Sequence, residues 1–201
     1  ALLEVRVALH RVSGRPSNRL LLQDQDAVAT LLRRPDADAL MRSVAEAGRS
    51  VAWIADQAWG ELRRREVRRP RRTERAGTPV APGVVLRADT IAVEPTAVVD
   101  GRLVLDLALA AAQAEVRIDR DSLERLRGAP APRWEAEDLA TFIAFLSTGR
   151  ATIPVVDALD RVGAFTTVLP EWAGVRARPQ RNAYHRFTVD RHLLETVGEA
   201  A

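Results

Sequence analysis

DADALMRSVAEAGRSVAWIADQAWGEL, residues 36–62, decides the fold class. Leu40, Val44, Ala47, Val51, Ile54, Ala58 and Leu62 step by three and four, the spacing that lines one side of an α-helix. The stripe is wide enough to face a core. Asp36, just after Pro35, is placed as an N-cap whose carboxylate accepts an orphan first-turn N–H.

Upstream, Leu2, Leu3, Val5, Val7, Leu9 and Val12 surround Arg6 and His10 in a first helix over 2–12, which Gly14 ends. A second helix runs from about Leu20 to Leu32 and stops before Pro35. Downstream, Arg63 to Arg75 holds eight arginines against Glu66 and Glu74, with Pro70 in the middle and no apolar period. With Gly77, Pro79, Pro82 and Gly83 it reads as an exposed connection. The period then changes. Val84-Val85-Leu86, Ile91-Ala92-Val93 and Val98-Val99 are β-type runs, and Asp100-Gly101 is a two-residue hairpin signal before Leu103-Val104-Leu105.

Helix resumes at about Asp106 and runs through the alanine-rich stretch to Glu115. Asp121-Ser122-Leu123-Glu124 resembles a capping box for a short helix that Gly128 terminates. Glu135 to Ser147 is helical with Leu139, Phe142, Ile143 and Leu146 on one side. Pro154 opens another helix, Pro170-Glu171-Trp172 is a turn, and Thr188 caps a last helix over 189–197. The expected fold is mainly α: a multi-helix, bundle-like domain with a small β-hairpin insertion. Its expected segments are a helical part (1–62), an arginine- and proline-rich loop (63–83), a helical region with the hairpin (84–177), and a linker with a final helix (178–201).

Composition removes several chemistries. All 30 basic residues are arginine, and cysteine is absent. There is therefore no lysine for a Schiff base or a P-loop, no thiol nucleophile, no disulfide and no thiolate zinc site. Missing disulfides fit a cytoplasmic chain. Apolar runs such as Leu107 to Ala112 fall far short of the roughly 20 residues of a membrane helix. Glu4 and Arg6 within Ala1 to His10 argue against a signal peptide. The sequence pI of 10.6 suggests nucleic acid, but the formal net charge is only +3. With no lysine and one tyrosine, little titrates between neutrality and the arginine range, so a small excess drags the pI upward.

Two D-x-D pairs, Asp24/Asp26 and Asp36/Asp38, have the spacing that holds paired magnesium ions when a strand puts both carboxylates on one side. Here they fall on a helix and at a helix start, without a Gly-Ser phosphate turn, and read as solvated or capping carboxylates. The arginine run lacks interleaved aromatics for base stacking and reads as a solvated loop. Trp53, Trp59, Trp134 and Trp172 read as core or interface anchors. His10 reads as a hydrogen-bonded structural histidine. The richest stretch is 178–195, RPQRNAYHRFTVDRHLLE, which carries Tyr184, His185, Asp190, His192 and Glu195. It has the look of the entry to a metal-dependent hydrolase helix. The nine residues after His192 are too few to complete such a site.

Leu169-Pro170-Glu171-Trp172 followed by Arg178-Pro179-Gln180-Arg181-Asn182-Ala183-Tyr184-His185-Arg186-Phe187-Thr188-Val189-Asp190-Arg191-His192 closely resembles the bacterial bifunctional PII uridylyltransferase/uridylyl-removing enzymes, the GlnD family. The match is to the junction where their central helical region enters an HD phosphohydrolase domain. Arg6, Leu9-His10, Gly14-Arg15, Asn18-Arg19-Leu20 and Gln23 follow the family pattern just after the nucleotidyltransferase core. Both ends are specific; residues 63–130 match in order and character.

The resemblance implies a fragment lying between two catalytic domains. In the family, a polymerase-β-like domain with magnesium-binding acids transfers UMP from UTP to a tyrosine of the PII signalling protein. The HD domain hydrolyses the UMP off, and ACT domains sense glutamine. No Gly-Ser motif, His-Asp dyad or ACT domain stands in these residues. His192 matches the first metal-ligand histidine of the HD domain, and no catalytic residue carries over. Arg191 stands where many members have glutamate, and Asn18 where many have aspartate. Tyr184 and His185 match without a catalytic role. The implied cofactor is Mg2+, and the implied partners are PII, UTP and glutamine, with no membrane. An independent arginine-rich helical module for RNA or an acidic protein is the alternative reading.

Overall fold

The computed structural model describes residues 1–67, 77–87, 89–181 and 187–201. Among them are ten helices and one four-stranded sheet, the mainly α fold with a small β insertion that the periodicity implied. The chain divides into two compact units. One comprises residues 1–69 with 174–192, the other 70–173 with 193–201.

In the first unit, α1 (Leu2–Ser13), α2 (Leu22–Leu31) and α3 (Ala37–Val67) pack around Ala8, Leu9, Val28, Ala29 and Leu40. Gly14 ends α1 at φ 66°, where its N–H reaches the carbonyl of His10. A side chain there would strain against the backbone. Asp36 caps α3 as expected, its Oδ1 accepting the N–H of Ala39 at 2.6 Å. The His10 ring is tied to the carbonyl oxygen of Ser17 at 3.0 Å, a structural histidine.

The stripe on α3 behaves differently along its length. Leu40 is fully buried, but Val51, Ile54 and Leu62 are exposed, and so is Trp59. Of the stripe, Leu40 is buried and Val44 and Ala47 are half-buried, so its N-terminal part is the more covered. The helix also runs to Val67, so the expected loop does not begin at Arg63. Arginine is a good helix former, and no glycine or proline stands between Arg63 and Pro70 to break the run. Residues 68–76 of the arginine run lie outside the described residues.

In the second unit, β1 (Thr78–Ala81), β2 (Val84–Arg87) and β3 (Thr90–Val93) form an antiparallel meander, and β4 (Arg117–Ile118) joins β3 in parallel. The tight turn is Pro82-Gly83, with Ala81 paired to Val84. Strand β1 occupies the sheet edge, where the missing N–H of Pro79 is tolerated. It falls in what the sequence presented as loop.

The expected hairpin at Asp100-Gly101 is not there. Asp100 is the N-cap of α4 (Gly101–Gln113), accepting the N–H of Leu103 at 2.8 Å. Leu103-Val104-Leu105 is helix rather than strand, and Val98-Val99 is not a strand either. Gly101 serves close approach, not turning: a Cβ there would lie 2.1 Å from the nitrogen of Pro132. Helix α4 is the centre of this unit, with Leu103, Val104, Leu105, Leu107 and Ala111 all buried. An element enclosed on nearly every side carries a short unbroken apolar run, here Leu103-Val104-Leu105, and such a run imitates a strand.

The short helix α5 (Arg120–Arg125) is capped by Asp119, not Asp121. The Asp119 carboxylate accepts the N–H and hydroxyl of Ser122, both at 3.1 Å. Arg125 then gathers the carbonyls of Val93, Glu94, Pro95 and Ala97 and fixes the loop after β3. Helix α6 (Ala136–Leu146) forms where the sequence placed it, but its apolar side is not the fully covered one. Leu139 and Ile143 are exposed, while Asp138, Thr141 and Phe145 are buried. Thr152 donates to the carbonyl of Phe145 at 3.0 Å, and the buried Asp138 lies 3.7 Å from Arg102, which balances its charge. Trp134 stacks edge-on against Phe142, 5.4 Å between centroids.

After a 3₁₀ turn at Gly149–Ala151, α7 (Thr152–Arg161) carries Pro154 in its first turn, and α8 (Ala164–Val168) and α9 (Trp172–Val175) follow. Trp172 is the tryptophan that meets the core expectation. It is buried, donates to Asp160 at 2.9 Å and meets Phe165 edge-on. The last helix is α10 (Val189–Ala200). No single helix among the described residues is long and apolar enough to cross a membrane.

Candidate functional site

Helix α10 starts at Val189, as the Thr188 signal implied, and its first turn is held from several directions. The N–H of Val189 donates to the carbonyl of Arg178 at 2.9 Å, and the N–H of His192 donates to the carbonyl of Thr188 at 2.9 Å. Asp190 is fully buried. Its Oδ2 accepts the N–H of Ala177 at 2.8 Å and the Nη2 of Arg49, from α3, at 2.6 Å; its Oδ1 accepts the N–H of Arg191 at 2.8 Å. The same Arg49 nitrogen reaches the Thr188 hydroxyl at 3.0 Å. One turn earlier on α3, Glu46 accepts from Arg176 at 2.8 Å.

Burial pushes the Asp190 carboxyl upward, since a low-dielectric surrounding disfavours its charge. The hydrogen bonds from Ala177, Thr188 and Arg49, with the charge of Arg49, outweigh that push and hold it below the ordinary carboxylate range. Asp190 is therefore an anion in a fitted socket.

His192 lies two residues further on and is exposed. Two helical steps of about 100° each put it nearly opposite Asp190. Burying Asp190 thus turns His192 outward. Tyr184 and His185, singled out in the sequence, lie outside the described residues.

The D-x-D carboxylates do not converge on a site for metal. Asp36 caps α3, and Asp26 and Asp38 lie 3.2 and 3.6 Å from the guanidinium of Arg181, which also donates to Gln25. An arginine seated among the acids supplies the positive charge a cation would bring. His192 offers one imidazole nitrogen, and a metal site needs several ligands. Among the described residues no group of three or more histidines, aspartates or glutamates is placed to hold a metal ion. These residues do not by themselves form a magnesium site.

Sequence reasoning passed over Arg49 and gave Asp190 no role. The two are 141 residues apart, and an arginine in an arginine-rich helix carries no local signal of a distant carboxylate.

No protein-family model matches the chain, and no solved structure matches it. Relatives named bifunctional uridylyltransferase/uridylyl-removing enzyme do match. Those of Streptomyces coelicolor and Mycobacterium tuberculosis are 43% and 38% identical, each over 100% of this chain and 26% of its own length. That of Xanthomonas axonopodis is 30% identical over 100% of this chain and 24% of its own length. The chain spans about a quarter of the length of these relatives. Matched from end to end, its 201 residues belong to the family of bifunctional uridylyltransferase/uridylyl-removing enzymes.

Proposed function

We propose that this segment is the helical scaffold between the uridylylating and deuridylylating sites of an enzyme that transfers UMP from UTP to a tyrosine of PII and hydrolyses it off again. The observation carrying this reading is the end-to-end similarity to relatives whose names state both activities. The outward placement of His192 on the first turn of α10 supports it at the level of the site. On this reading residues 178–201 open the HD domain, and His192 gives one nitrogen to a metal centre whose other ligands stand elsewhere in the enzyme. Mg2+, PII, UTP and glutamine belong to the whole enzyme, which works in the cytoplasm. The segment's own work is mechanical: it holds α10 in place and presents His192.

The test is UTP-dependent labelling of purified PII by the full-length protein, with and without glutamine, beside the 201 residues alone. The full-length protein is expected to add and remove UMP in response to glutamine, and the segment to do neither. Turnover by the segment alone, or a full-length protein inert toward PII and UTP, overturns the reading.

A further inference from the structure

Asp190 is a carboxylate buried at a place where an apolar residue would serve packing at least as well. Taking a carboxylate out of water costs several kcal/mol unless the partner geometry repays it. Here both oxygens are used, and the donors come from three separate pieces of chain: Arg49 on α3, Ala177 in the segment before α10, and Arg191 in α10 itself. Arg49 divides Nη2 between Asp190 and Thr188, the residue just before the helix. Hydrophobic contact alone lets a helix roll about its axis, whereas paired charges accept one orientation. A roll of one residue position turns His192 by about 100°.

We propose that Arg49 and Asp190 form a positioning clamp that sets the rotation of α10 and so the direction in which His192 is presented for removal of UMP. The clamp touches neither substrate nor any reacting atom; it acts through the helix. It deepens the role given to His192 above and rests on it. Arg49 reaches hydroxyl and carboxylate together through the one Nη2, which the rigid guanidinium plane holds in place more firmly than a flexible ammonium would be held.

The experiment uses the full-length enzyme with Asp190→Asn, Arg49→Met, Arg49→Lys and His192→Ala. It reads initial rates of UMP addition and removal, kcat and KM for PII-UMP, and amide hydrogen exchange across residues 188–192. Displacing a catalytic group by a fraction of an ångström lowers turnover steeply. Asp190→Asn and Arg49→Met are therefore expected to reduce kcat for removal by about tenfold or more. KM and the rate of addition should stay within about twofold. Exchange in the first turn of α10 should quicken, and Arg49→Lys should recover part of the Arg49→Met loss. Equal loss of both activities in step with thermal stability overturns the clamp, because a merely structural pair behaves that way. So does unchanged removal in Asp190→Asn while His192→Ala abolishes it. Unimpaired removal in His192→Ala removes the role of His192 itself, and the clamp with it.

Discussion

Helices α3 and α4 present opposite cases of one rule. Helix α3 carries a long three-four stripe, yet Val51 is 58% exposed and Ile54 60%. Helix α4 opens on an apolar run that looks like a strand, yet it packs against the sheet, α6 and α7, and its Leu107 is 0% exposed. Periodicity reports which side of a helix is apolar. How much of that side is covered depends on what packs there, and a fully covered helix needs no polar side at all.

The largest effect that tests this contrast is truncation in each helix. Leu107→Ala opens a cavity with atoms on all sides and is expected to cost about 2–5 kcal/mol. Ile54→Ala removes atoms already in water and should stay within about 0.5 kcal/mol. Urea unfolding followed by circular dichroism checks both. Equal costs would mean that α3 is as enclosed as α4.

Next in size is Gly101→Ala. Its Cβ would meet backbone atoms of Ala131 and Pro132, which cannot rotate away. Overpacking of this kind costs about 1–3 kcal/mol. A neutral result would return Gly101 to the role of turn residue that its dipeptide suggests. The smallest expected effect separates two neighbouring aspartates. Asp119→Ala loses the cap of α5 and should cost about 1 kcal/mol, while Asp121→Ala should be nearly silent.

These cases show what local sequence can and cannot carry. The helix ends at Gly14 and Asp36 were legible because the cap is a local event that one residue decides. The mainly α class followed from the same kind of signal. Asp100-Gly101 misled because the same dipeptide serves as hairpin turn or as N-cap and first helical residue, and only the distant Pro132 distinguishes them. On α6 the buried Asp138 sits beside Arg102 while Leu139 and Ile143 are exposed, something no hydropathy pattern records. At the candidate site His192 and the start of α10 could be read from the residues around Thr188. The Arg49–Asp190 pair could not, since it exists only once α3 and residues 176–190 come together.

The most direct measurement of the central claim is the ratio of UMP removal to UMP addition in full-length enzyme carrying His192→Ala. An enzyme whose removal depends on this imidazole should lose removal by about a hundredfold while addition to PII stays within about twofold. Removal that survives the substitution, or loss of both activities together, would contradict it.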